Sequence, residues 1–132
     1  MESFDIQTRI RYSETDQMGV VYHGNYAAFL EIGRTEWMRK KGLSYKELEQ
    51  NGVMLPVVSL TMNYKKPACY DDLITIKTFF KSQTGAKIEF DYEIYNEKGD
   101  LLTTAYSLLV FVNKETGRPM APPTYVSEKI NV

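Results

Sequence analysis

The sequence predicts an α+β domain in which one long helix lies on an antiparallel sheet. Three observations carry that reading: a helical period confined to residues 25 to 41, alternating apolar and polar segments at 4 to 12 and from residue 58 onward, and the order strand, long helix, short helix, then four strands in antiparallel succession. At 132 residues, with no internal repeat, low-complexity segment or obvious linker, residues 1 to 132 form one domain. The 43% hydrophobic and 25% charged content is that of globular chains, which argues for a packed core and against disorder or collagen-like repeats.

The elements follow in order. Phe4, Ile6, Ile10 and Tyr12 stand at even positions between mostly polar neighbours, the pattern of a half-buried strand. Residues 13 to 24 keep no period and contain Gly19 and Gly24, so they read as a structured loop. From Asn25, Tyr26, Phe29, Leu30, Gly33 and Trp37 share one helical stripe, with Glu31, Thr35 and Arg39 on the other side. Asn25 is the expected N-cap and Gly42 the expected stop. Gly33 within that stripe costs about 1 kcal/mol relative to Ala, a cost explained by close approach of the helix to a sheet. Ser44 with Glu47 three residues on is a capping-box pattern for a short helix over 44 to 51, ended near Gly52.

Beyond Gly52 the chain reads as strands to its end. Val58, Leu60, Met62 and Tyr64 alternate with polar residues; 73 to 80 and 88 to 95 follow, and Asn96–Asp100 forms a hairpin loop before a strand over 101 to 112. That last strand is apolar on both faces at Leu108–Val112, yet one helix covers only one face of a sheet. The uncovered patch, assigned to the outward-facing member of Leu109 and Phe111, predicts a homodimer at least.

Composition narrows the functions. With 16 Lys and Arg against 17 Asp and Glu, the net charge of -1 gives no basic footprint for nucleic acid. Cys69 is the only cysteine and His23 the only histidine, so neither a cysteine cluster for zinc nor a two-histidine metal site exists in one chain, and no metal is expected. The opening residues lack a secretory signal pattern and no apolar run approaches 18 residues, so the expected location is the cytoplasm, without a membrane span.

Reactive side chains concentrate in the loop from Tyr12 to Tyr26. It runs into the start of the long helix, where unpaired N–H groups and the positive end of the helix dipole stabilise an oxygen that gains negative charge. Asp16 supplies a carboxylate fit to act as nucleophile or as a base toward water, and Gly19 and Gly24 let the backbone approach a ligand. A carboxylate beside a helix-start oxyanion hole suggests acyl transfer or hydrolysis. Each assignment has a plainer rival: Asp16 as a turn aspartate, His23 as a structural residue, Glu14 as a solvated loop carboxylate. Tyr22, Phe29 and Trp37 could wall an acyl pocket or simply fill the core, and Arg34, Arg39, Lys40 and Lys41 read as charge on a solvated face near the helix C-terminus.

The run Thr15-Asp16-Gln17-Met18-Gly19-Val20-Val21-Tyr22-His23-Gly24-Asn25-Tyr26, continued by Arg34-Thr35-Glu36-Trp37, Tyr64, Pro67-Ala68 and Asp71-Asp72, resembles the hotdog-fold acyl-CoA thioesterases of the 4-hydroxybenzoyl-CoA thioesterase type. The likeness spans nearly the whole chain and is closest to the bacterial Tol-Pal-associated branch. It implies a five-stranded sheet wrapped around a central helix, subunits paired through their sheets, and often two dimers in a tetramer. It further implies that Asp16 attacks the thioester or activates water and that the backbone N–H of His23 receives the carbonyl oxygen. Tyr22, Gly24 and Asn25 then join the substrate-binding set, with Lys81 and Lys87, the basic residues near the middle hairpin, as contacts to the coenzyme A phosphates. No cofactor is implied, and the substrate is an acyl-CoA or an acyl-carrier-protein thioester. Two other readings are a hotdog dehydratase or hydratase using His23 with Glu31 or Glu36, and a non-catalytic acyl-thioester binding protein.

Overall fold

A computed structural model describes residues 2 to 131. The long helix α1, Tyr26–Lys40, buries Tyr26, Phe29, Leu30, Gly33 and Trp37, the stripe set by its 3.6-residue period. It lies across a five-stranded sheet of β1 (Phe4–Arg9), β3 (Val57–Tyr64), β4 (Leu73–Thr84), β5 (Lys87–Tyr95) and β6 (Leu101–Val110). The spatial order is β1-β4-β5-β6-β3, with every pairing antiparallel. Ile74, Ile76, Ile88, Phe90, Tyr92 and Ile94 point from the sheet into the core beneath the helix. Phe29 and Trp37 belong to that core, and Trp37 stacks on Phe80 with ring centroids 5.3 Å apart.

Gly33 is where helix and sheet come closest. A Cβ built there would sit 3.0 Å from Ile76 Cγ2 and well inside contact distance of Thr78 Oγ1, so only glycine lets α1 settle onto β4. The short helix α2, Tyr45–Gln50, is capped as its sequence pattern indicates, Ser44 Oγ accepting from Glu47 N–H at 3.1 Å.

Four features depart from the sequence reading. β3 does not neighbour β4: residues 65 to 72 cross to the other side of the sheet, and β3 pairs with β6 at the far edge. The first strand stops at Arg9, and Tyr12–Glu14 instead form a 3-10 turn closed by the Arg11 N–H on Glu14 Oε1 at 2.7 Å. The chain does not end in strands. A two-stranded ribbon of β2 (Val53–Met54) and β7 (Val112–Asn113) precedes a C-terminal helix, α3, Thr124–Ile130, which buries Val126 and Ile130. Finally, Arg34 is not on a solvated face: it is 7% exposed, packed beside the Tyr45 and Tyr92 phenols, and its Nε has no hydrogen-bond partner among the described residues.

The uncovered apolar patch also lies elsewhere. Leu109 and Phe111 are both buried within the chain, because the strand breaks after Val110 and Phe111 turns inward beside Ala86. The apolar surface left open belongs to β3, where Val57, Val58, Leu60 and Tyr64 are each 40% exposed or more and one strand edge has no partner.

Candidate active site

The loop before α1 is a tight hairpin. Thr15 bridges Val21, the Asp16 N–H donates to Val20 O at 2.9 Å, and Gly19, at φ 78, donates to Asp16 O at 3.0 Å. Asp16 therefore does serve the turn: its Oδ1 accepts from Met18 N–H at 2.8 Å, a local bond typical of aspartate in turns. Its other carboxylate oxygen has no partner among the described residues. The turn thus fixes the carboxylate and leaves Oδ2 available for a water molecule or a carbonyl carbon.

The crossover segment pins this hairpin from below. Val21 N–H donates to Ala68 O at 2.8 Å, Val20 bridges Cys69, and Ile10 N–H donates to Asp72 O at 2.8 Å. Next comes a single 3-10 turn, His23–Asn25, that feeds into α1, and the N–H groups of His23 and Gly24 find no acceptor among the described residues. The donors sit where the helix dipole adds positive potential.

A cavity of about 370 Å³ opens at this point, lined by Asp16, Val21, His23, Tyr26, Tyr64, Lys65, Lys66 and Pro67. Burial pushes the Tyr26 phenol up, so it stays neutral, and its ring meets Tyr64 edge-on with centroids 5.0 Å apart. The Tyr64 hydroxyl reaches His23 O at 3.5 Å, which ties the end of β3 to the helix start.

The sequence-derived residues divide into groups. Asp16 and His23 share the cavity. Tyr22, Gly24 and Asn25 are not among the residues that line it: the Tyr22 ring lies 4.4 Å from the His23 ring, a Cβ on Gly24 would stand 2.6 Å from Tyr22 Cε2, and Asn25 Nδ2 donates to Glu14 O at 2.8 Å. Asn25 is thus at the N-cap position, but its side chain ties down the loop instead of capping α1. Lys81 and Lys87 lie at the β4–β5 hairpin outside this cavity, Lys81 4.0 Å from the Asp91 carboxylate and over the Tyr106 ring. Glu36 pairs with Arg39 at 3.3 Å, and Glu31 lines a separate hollow with Arg34 and Tyr45, so neither faces His23. Lys65 and Lys66 carry no site signal in the sequence, whereas Tyr26, Tyr64 and Pro67 belong to the run that carries the family likeness.

One long helix wrapped by a five-stranded antiparallel sheet, with a carboxylate and unpartnered backbone donors near the helix start, is the arrangement expected of a hotdog-fold thioesterase. Residues 10–130 match the thioesterase-like superfamily, and the chain belongs to that family. YneP of Bacillus subtilis (strain 168) is 40% identical over 114 residues, covering 86% of this chain and 83% of that protein. The acyl-CoA thioester hydrolase YbgC of Escherichia coli O157:H7 is 37% identical over 115 residues, covering 87% and 86%. The solved DHNA-CoA thioesterase of Staphylococcus aureus superposes with a TM-score of 0.92 at 35% identity, over 99% of this chain and 92% of that one.

Proposed function

We propose that the protein hydrolyses acyl-CoA thioesters to the free acid and coenzyme A, with Asp16 as the catalytic carboxylate and the His23 N–H as the oxyanion donor. The observation that carries this reading is that Asp16, with one carboxylate oxygen unpartnered, and His23, whose N–H finds no acceptor among the described residues, line one cavity. The thioester carbonyl oxygen lies on the donor and gains charge as the tetrahedral intermediate forms. Asp16 either draws a proton from the attacking water, so that the free acid forms directly as the coenzyme A thiolate leaves, or attacks the carbonyl carbon itself. That attack expels the thiolate to give an acyl–aspartyl anhydride, which water then cleaves to the free acid and the original carboxylate. Tyr22, Gly24 and Asn25 hold the donor in place. Lys81 and Lys87 reach substrate only if a second copy brings its hairpin to the site, and the same chemistry would serve a carrier-protein thioester.

The working unit is a homodimer or homotetramer. The free β3 edge offers backbone groups and exposed Val57, Val58 and Leu60 together, a combination that monomers avoid. A second copy pairing there would cover both. Among the described residues no helix is long and apolar enough to cross a membrane. With Cys69 as a free, exposed thiol, the cytoplasm is the compartment we assign.

The test is thiol release from short, medium, long and aromatic acyl-CoAs by the wild type and Asp16→Asn. The Asn side chain keeps the turn bond to Met18 but loses basicity, so turnover of the best substrate should fall at least about a hundredfold with fold and mass intact. Near-native turnover by Asp16→Asn overturns the assignment, and binding without any turnover by the wild type would make the protein an acyl-thioester carrier.

A further inference from the structure

The cavity that holds Asp16 is bounded on its β3 side by two consecutive cations. Lys65 and Lys66 follow directly on Tyr64, and both backbone N–H groups donate to Leu102 O, at 2.8 and 3.1 Å, so the chain here is anchored to the start of strand β6. Pro67 then restricts the backbone immediately beyond them. Both residues line the cavity, yet among the described residues neither forms an ion pair with Asp16, the one acid among the residues that line it. Lys66 is 3.8 Å from Asp100 in an exposed pair, a contact weak enough to exchange. Lys65 forms no ion pair among the described residues.

Neutralising the base is therefore not what these lysines do, and a thioester carbonyl and its acyl chain give them nothing to bind. The remaining part of the substrate does. On the thioesterase reading, the group leaving the site is a pantetheine arm that ends in a phosphate. A cavity of about 370 Å³ has room for the thioester and only part of the arm, so the phosphate is expected beyond it, within reach of the flexible lysines among its lining residues. A long, flexible lysine at the rim contacts a phosphate there as a mobile point charge.

We infer that Lys65, assisted by Lys66, forms a phosphate subsite for the 4′-phosphate of the pantetheine arm. The subsite is built on the same chain as Asp16 and is separate from the Lys81–Lys87 hairpin. That phosphate is common to coenzyme A and to the carrier-protein prosthetic group, whereas the nucleotide belongs to coenzyme A alone.

The experiment compares one acyl group on three carriers: pantetheine, 4′-phosphopantetheine and coenzyme A. The wild type should favour acyl-4′-phosphopantetheine over acyl-pantetheine by about tenfold in kcat/KM, the low end for a charge-assisted contact at an exposed site. Raising ionic strength should shrink that preference. In Lys65→Gln the preference should vanish through a rise in KM for both phosphorylated substrates, and Lys65→Arg should restore most of it. Three results overturn the inference: an equal KM rise with acyl-pantetheine, no KM change with any substrate, or a penalty confined to acyl-CoA. If the wild type hydrolyses none of the three, the thioesterase reading fails by itself. Calorimetric titration with free coenzyme A then decides the subsite: a Kd raised about tenfold by Lys65→Gln supports it, and an equal Kd rejects it.

Discussion

Replacing Gly33 by alanine sets two effects of similar size against each other. In an open helix interior the change would stabilise by about 1 kcal/mol through helix propensity. At this position the new Cβ would meet Ile76 Cγ2 at 3.0 Å and press into Thr78 Oγ1, and both side chains are fully buried on β4. Neither can swing away cheaply, because both are β-branched and held in a packed layer. Overpacking of this kind costs about 1–3 kcal/mol, so a net loss of about 1 kcal/mol is expected as α1 lifts from the sheet. Urea unfolding at fixed protein concentration reads it. Thr78→Ala removes the hydroxyl, which has no hydrogen-bond partner among the described residues, and should relieve part of the strain. A double-mutant cycle should then show a favourable coupling of roughly 1 kcal/mol between the two positions. Activity should fall further than stability does, because α1 carries the proposed oxyanion donor at its start and a displacement of about 1 Å can cost on the order of a hundredfold. A Gly33→Ala variant at least as stable as the wild type, with no coupling to Thr78→Ala, would refute the close-approach argument.

Further expectations concern the donor, the open edge and two surface groups. His23→Ala keeps the backbone N–H and should stay within roughly tenfold of wild-type turnover, whereas His23→Pro removes the donor and should cost about a hundredfold, read once circular dichroism shows the fold intact. Loss of activity in His23→Ala with a mild Asp16→Asn would make the imidazole the base. Val58→Lys changes a residue that is 56% exposed, so the chain should fold while the oligomer dissociates; an unchanged sedimentation mass at micromolar concentration would place the interface elsewhere. On the outer face of the sheet the Tyr106 hydroxyl donates to Glu89, which pushes the phenol up to about 12, while the same bond together with Ser82 holds the Glu89 carboxyl below its usual value. The tyrosine's share of stability is complete below pH ~10 and lost as pH rises through about 12. The carboxylate's share is present above its ordinary value and lost as pH falls through the lowered one. Tyr106→Phe should flatten the stability profile at both ends, and an unaltered profile would show that the bond does not form in solution.

What the chain reveals unaided depends on how locally each feature is encoded. The 3.6-residue stripe from Tyr26 to Trp37 is written within one segment, and the glycine inside it could be assigned to close packing before any sheet was known. Asp16 and His23 were legible for the same reason, being seven residues apart on one loop that ends at a helix. The partner of β3 was not, since alternation in Val58, Leu60, Met62 and Tyr64 indicates a strand but carries no information on which edge receives it. That single ambiguity hid Lys65 and Lys66 as well. In sequence they are an ordinary basic pair, and only the crossover at residues 65 to 72 sets them against Asp16. Helix α3 escaped because two buried residues, Val126 and Ile130, are a thin periodic signal, although Pro122 and Pro123 just ahead of Thr124 mark a helix start. Arg34 looked solvated from its basic neighbours along the chain, while its angular position on α1 put it inward.

The strand order also dictates when the proposed active site comes into being. β4, β5 and β6 are chain neighbours joined by short turns, and their pairing closes small loops. β1 and β3 must travel, since Phe4 pairs with Thr78 and Leu60 with Ser107, and such distant closures come late and slowly. The two travelling edges are the ones that deliver the Asp16 loop and the two lysines that line its cavity. During refolding the meander of β4, β5 and β6 should therefore register in circular dichroism before any thioester is cleaved. In mild denaturant, fraying of either edge should silence the enzyme while the central strands still protect their amides from hydrogen exchange.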